Sequence, residues 1–186
     1  LLVYVLLAGR FATLLPLWGG VHDEPIYFGY CRFLAVTGRL PRLGEGLGVQ
    51  PWECYTLPTA GEAAHHPPGY FFLGSLVCRV LGGASLTVQN YALRGLSLAL
   101  GLAALAFLHR LVRELLPEHP WMALAAVGSV AVLPQWLLVC SVIYVESFGA
   151  FATTGALWLL ARYARTPARP WSLWFAGLFV GAMALT

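Results

Sequence analysis

The chain has 186 residues, of which 59% are hydrophobic and only 10% charged. Soluble domains carry about a quarter charged residues, so this composition argues for a bilayer as the main solvent. The net charge of +3 comes from 11 basic residues, all arginine, set against 8 carboxylates, and it is too small and too scattered to mark a nucleic-acid surface.

A membrane span needs about 20 mostly apolar residues. The first expected span runs from Leu1 to about Gly20, interrupted by Arg10 and Pro16, and it lacks the features of a signal peptide. A long segment, about 21 to 87, follows. Further spans are expected at about 88–109, 121–139 and 142–161, and a last one from 171 to 186. The chain opens on Leu1 and stops at Thr186 inside an apolar run, so it is expected to be part of a longer protein. The apolar stretch Pro67 to Leu81 is too short for an ordinary span and reads as a helix at the membrane interface. With that choice, the turns carrying Arg110 and Arg113 and then Arg162, Arg165 and Arg169 fall on one side, which the positive-inside rule makes cytoplasmic. The long loop then lies on the extracytoplasmic side. The four cysteines, Cys31, Cys54, Cys78 and Cys140, form no CxxC pair and read as small buried hydrophobes.

A connection as long as 21–87 is uncommon unless it is functional. It holds an aromatic helix-like part, Pro25 to Val36, then a Pro/Gly-rich stretch, and it returns to the membrane at "HHPPGYFF", where Pro67 and Pro68 suit a first helical turn. Asp23 and Glu24 stand where the first apolar run ends. They suit a helix N-terminus, which favours carboxylates, and they equally suit a general base at the membrane surface. His65 and His66 read as an interfacial pair, as metal ligands or as phosphate contacts. His22, Glu53, Cys54 and Glu62 are available to complete a metal site, although no spacing among them is a metal motif. Arg10, Arg94 and Glu146 lie within expected spans, where charges face the protein interior, water or the interface. The glycines of "GEGLG" follow no strand and are no dinucleotide fingerprint.

The order of these features resembles the N-terminal part of the GT-C membrane glycosyltransferases, and more narrowly the protein mannosyltransferase and lipid A aminoarabinose transferase families. The matching features are Asp23-Glu24 after a first span, an aromatic helix with Tyr27 ending at Gly38, His66-Pro67-Pro68 with Tyr70, Leu81-Gly82, and Arg94 near the start of the next span. The resemblance implies an all-α fold: a polytopic membrane helical bundle with two interfacial juxtamembrane helices in a long first extracytoplasmic loop. It implies an integral protein of the plasma membrane that moves a sugar from a polyprenyl-phosphate donor to a protein, lipid or glycan acceptor on the extracytoplasmic side. Asp23 is then the catalytic base and Glu24 the second catalytic carboxylate. His66, Arg94, Arg10 and Tyr70 are candidates for the substrate and its phosphate. His65 replaces a metal-linked glutamate of the family, so a divalent metal is an open expectation. A transporter lined by Arg10, Arg94 and Glu146, or a non-catalytic membrane scaffold, are the competing readings.

Overall fold

A computed structural model describes residues 1–17, 23–43, 45, 65–166 and 171–183. Among them the chain forms eight helices and no strand: α1 (Leu2–Leu14), α2 (Glu24–Thr37), α3 (Gly69–Val80), α4 (Leu86–Leu115), α5 (Pro120–Ala131), α6 (Pro134–Ser141), α7 (Glu146–Arg165) and α8 (Trp171–Met183). The all-α expectation therefore holds for these residues.

The helix boundaries follow from local chemistry. Pro25 stands in the first turn of α2, where its missing N–H is no loss. The helix ends at Gly38, whose φ of 71° is left-handed and whose N–H returns to the Leu34 carbonyl. Pro67 and Pro68, expected inside a first turn, stand just ahead of it, and α3 starts at Gly69. Ser85 caps α4 by accepting the Val88 N–H at 3.3 Å. At 30 residues, α4 is about 45 Å long at 1.5 Å per residue.

The run expected to cross at 121–139 is broken instead. α5 and α6 meet at a bend of 68°. Pro134 lacks an N–H and clashes with the preceding turn, so the helix stops at Val132, Leu133 is extended, and α6 restarts with proline in its first turn. Among the described residues α4 is the one single helix long and apolar enough to cross a membrane, and α5 with α6 qualifies only as a bent pair.

α4 is the central element. It packs along α7, which also packs against α8, while α5, α6, α1 and α3 also touch α4. Gly101 permits the closest approach: a Cβ there would collide with the Tyr4 hydroxyl from α1 and the Cys140 sulfur from α6. The buried residues form two cores. One joins α1, α5 and α6 to the middle of α4 through Tyr4, Ala8, Leu105, Val127, Leu137 and Cys140. The other joins α2 and α3 to the first half of α4 and to the α6–α7 link, through residues such as Phe28, Cys31, Phe71, Leu93 and Ile143. The candidate site lies on this second core. Cys31, Cys78 and Cys140 are buried and free, and Cys54 lies outside the described residues.

Candidate active site

The site is built around one guanidinium. Arg94, on the third turn of α4 and 1% exposed, faces Glu24, the first residue of α2, which is 0% exposed. The pair is bidentate: Arg94 Nε donates to Glu24 Oε1 at 2.7 Å and Nη2 donates to Oε2 at 2.7 Å. Nη1 donates to the carbonyls of Ala12 (2.6 Å) and Leu15 (2.9 Å), and Nη2 also donates to Pro16 (3.0 Å). An arginine has five N–H donors, and all five are engaged. Ala12 lies in the last turn of α1, whose carbonyls have no intrahelical partners, and Leu15 and Pro16 follow directly, so Arg94 ties down the end of α1 while holding the start of α2. Glu24 Oε1 also accepts the Ile143 N–H from the α6–α7 link at 3.3 Å.

This arrangement places two of the expected site residues in the interior, with their polar atoms engaged. Glu24, expected as a second catalytic carboxylate, is sealed from solvent and saturated by Arg94 and Ile143. Arg94, expected on the donor phosphate, has no N–H left for one. Tyr70, expected at the substrate, also lies in the interior: it is 0% exposed, and its hydroxyl is 2.8 Å from that of Ser97. Arg10 is exposed on α1 and forms no ion pair with a described residue.

Asp23 behaves differently from its neighbour. It occupies the cap position of α2, yet its side chain makes no capping hydrogen bond, and the residue is half-buried. Successive residues at a helix start point in different directions, so burying Glu24 turns Asp23 away from Arg94.

Tyr27, one turn into α2, gathers the groups around Asp23. It is buried, and its hydroxyl is 3.4 Å from His66 Nε2 just ahead of α3. Its ring meets His66 edge-on at 5.4 Å and Tyr144 of the α6–α7 link at 5.5 Å. Burial raises the Tyr27 hydroxyl above its usual range, and the charges of Asp23 and Glu146 push it further up. Burial also raises Tyr144, helped by Glu146 and Asp23. Burial lowers His66 below the usual histidine value, as does His65 beside it, while Asp23 opposes the shift. His66 is therefore a neutral hydrogen-bonding group at neutral pH. His65 is exposed, with its ring 4.2 Å from that of His66.

The N-termini of α2, α3 and α7 thus converge on one edge, with Asp23, Tyr27, His66, Tyr144 and Glu146 around it. Reading the sequence placed Glu146 at a span end and did not single out Tyr144. The signal for both is weak, because only the fold brings the α6–α7 link to α2. Among the described residues no three His, Cys, Asp or Glu side chains group to hold a metal ion. His22, Glu53, Cys54 and Glu62 lie outside the described residues. No family model matches this chain, and no curated protein or solved structure matches it either.

Proposed function

We propose that this chain belongs to a multi-pass membrane glycosyltransferase of the GT-C type. It would use a polyprenyl-phosphate sugar as donor and a protein, lipid or glycan as acceptor, with the site on the extracytoplasmic face of the plasma membrane. The observation that carries this reading is the division of labour within the Asp-Glu pair: Glu24 is held by Arg94, and the half-buried Asp23 has no side-chain hydrogen bond to a described residue. An uncapped carboxylate beside Tyr27, His66 and a second carboxylate suits a general base.

In this reading Asp23 takes the proton of the acceptor hydroxyl as its oxygen attacks the anomeric carbon. The bond from that carbon to the phosphate oxygen breaks, and the polyprenyl phosphate leaves with the electron pair. Neutral His66 donates a hydrogen bond to the leaving phosphate, and the N-terminus of α3 adds its partial positive charge. Arg10, exposed on α1 and in no ion pair with a described residue, is a further cation available to the phosphate. Arg94 and Glu24 act as positioning residues.

The membrane orientation agrees with this reading. The site lies at the start of α4, and Arg110, Arg113, Arg162 and Arg165 lie toward the far ends of α4 and α7, as cytoplasmic arginines should.

The test is turnover of radiolabelled polyprenyl-phosphate sugars in membranes containing the complete protein or its Asp23→Asn variant. Loss of sugar release at unchanged protein level is the expected result. Turnover untouched by the substitution would remove Asp23 from the reaction. A transporter is the second reading, favoured by the 68° break between α5 and α6, because broken helices line transport pathways. Movement of a lipid-linked sugar without its cleavage would establish that alternative.

A further inference from the structure

Toward the other end of α4, 16 residues or about 24 Å beyond Arg94 at 1.5 Å per residue, a second group of charges stands outside the candidate active site. His109, Arg110, Arg113 and Glu114 of α4 face Trp158 and Arg162 of α7 across a cleft of about 600 Å³. Trp158 is held by stacking on Phe107, with ring centres 5.4 Å apart and planes 21° apart. The guanidinium carbons of Arg110 and Arg162 lie 5.0 and 5.7 Å from the Trp158 ring centre. Arg162 is also 5.5 Å from the ring of Trp171.

An indole attracts a cation but does not neutralise it. The two ion pairs among the described residues, Arg39–Glu45 and Arg94–Glu24, lie elsewhere. Glu114 lines the cleft but pairs with none of the three arginines, which outnumber it. Two like charges on one tryptophan, with a third nearby, make a place for an anion. Arginine forks match phosphate oxygens well.

What lies beside the cleft narrows the choice of anion. His109 and Arg110 also line a second cavity of about 490 Å³, whose other walls are largely apolar: Tyr4 from α1, and Leu124, Val127 and Gly128 from α5. The basic cleft and the apolar groove therefore share His109 and Arg110 as a common border. A small soluble anion would leave the groove bare, and a neutral apolar ligand would leave the arginines unmet. One molecule with a phosphate head and a hydrocarbon tail satisfies both.

We propose that this end of the bundle binds an anionic phospholipid, with its phosphate among Arg110, Arg113 and Arg162 and an acyl chain in the groove between α1, α4 and α5. The proposal rests on the membrane placement of the chain and is independent of the transfer reaction.

The experiment uses the complete protein, purified in mild detergent and exchanged against an equal mixture of phosphatidylglycerol and phosphatidylcholine with matched chains. Retained lipid is counted by native mass spectrometry. Phosphatidylglycerol should be kept in preference. Arg110→Gln and Arg162→Gln should each lower its retention about fivefold, the usual worth of one basic residue at an anionic lipid surface. Arg165→Gln removes the same charge from an exposed position outside the cleft and should leave retention unchanged. Gly128→Phe fills the groove and leaves all three arginine charges in place, and it should also lower retention. A Cβ at Gly128 meets nothing within 4 Å, so this variant keeps the test decisive where an arginine variant fails to fold.

Equal retention of both lipids overturns the proposal. So does an Arg165→Gln loss as large as that of Arg162→Gln, which would mean a diffuse positive surface. Full displacement of lipid by inorganic phosphate, with no effect of Gly128→Phe, would mean a simple anion site and also overturns it. A protein that fractionates as a soluble molecule removes the membrane placement and the lipid site together, whereas sugar-transfer activity can be lost without moving any of these lipid readings.

Discussion

Glu24→Gln separates a structural from a catalytic role for the buried carboxylate. The change keeps the shape of the side chain but removes its charge. It also turns an amide N–H₂ toward a guanidinium that can only donate. Of the five N–H groups of Arg94, three stay on the α1 carbonyls, while the two aimed at Glu24 lose their charged partner. Removing one member of a buried ion pair costs about 3–5 kcal/mol, most of it from the charge left behind. In a chain of this size each kcal/mol moves the melting temperature by about 2–4 °C, so a loss on the order of 10 °C is expected. The assay is thermal loss of monodisperse protein in detergent, followed by fluorescence-detected size exclusion. The double variant Glu24→Leu with Arg94→Met removes both charges and should recover part of the loss, because matched apolar replacements of buried pairs are tolerated far better than single ones. A Glu24→Gln protein as stable as the wild type but without activity would refute the structural role and return Glu24 to the chemistry.

The remaining expectations are as direct. The ordinary histidine value is 6.5, and His66 lies below it in the folded state. Between those two values the unfolded chain binds more protons, so stability rises with pH. The contribution of neutral His66 is complete above pH 6.5 and is lost as pH falls through the lower folded value. His66→Phe should flatten the melting profile on acidification, and an unchanged slope would remove His66 as its source. Gly101→Leu should cost about 1–3 kcal/mol by overpacking, read as a lower melting temperature, since Tyr4 and Cys140 occupy the space a side chain would need. Gly128→Leu, also on a helix but facing open space, should be neutral in the same assay.

Much of the helical framework is legible in the sequence, because apolar runs and helix-end residues act locally. The end of α2 at Gly38 and the start of α4 after Ser85 both follow from chemistry within a few residues. The break at Pro134 was also written in the chain, but a hydropathy window averages over it and is blind to a missing N–H. The site was less legible. Asp23 and Glu24 are adjacent and chemically alike, and what divides them is an arginine 70 positions away. Tyr70 carries a hydroxyl suited to a phosphate, yet Ser97 on another helix claims it. Tyr144 and Glu146 join Asp23 only because the α6–α7 link folds back against α2. Pairings of this kind depend on tertiary approach, and no local pattern encodes them.

The order in which the chain emerges gives the Arg94 junction a consequence for biogenesis. A lone arginine at the centre of an apolar helix costs about 2.5–3.5 kcal/mol on insertion into a bilayer, and one nearer the helix start, as Arg94 is in α4, costs less but not nothing. Every acceptor that Arg94 uses, from Ala12, Leu15, Pro16 and Glu24, is made before α4 leaves the ribosome. Under the proposed membrane placement, the first helix and the start of the second are available when α4 inserts, and its charge can be met on arrival. A chain made without its first two helices would carry the same α4 into lipid with five bare donors. Such a product should be a poor inserter and a ready target for membrane proteolysis, even though its longest apolar helix is intact.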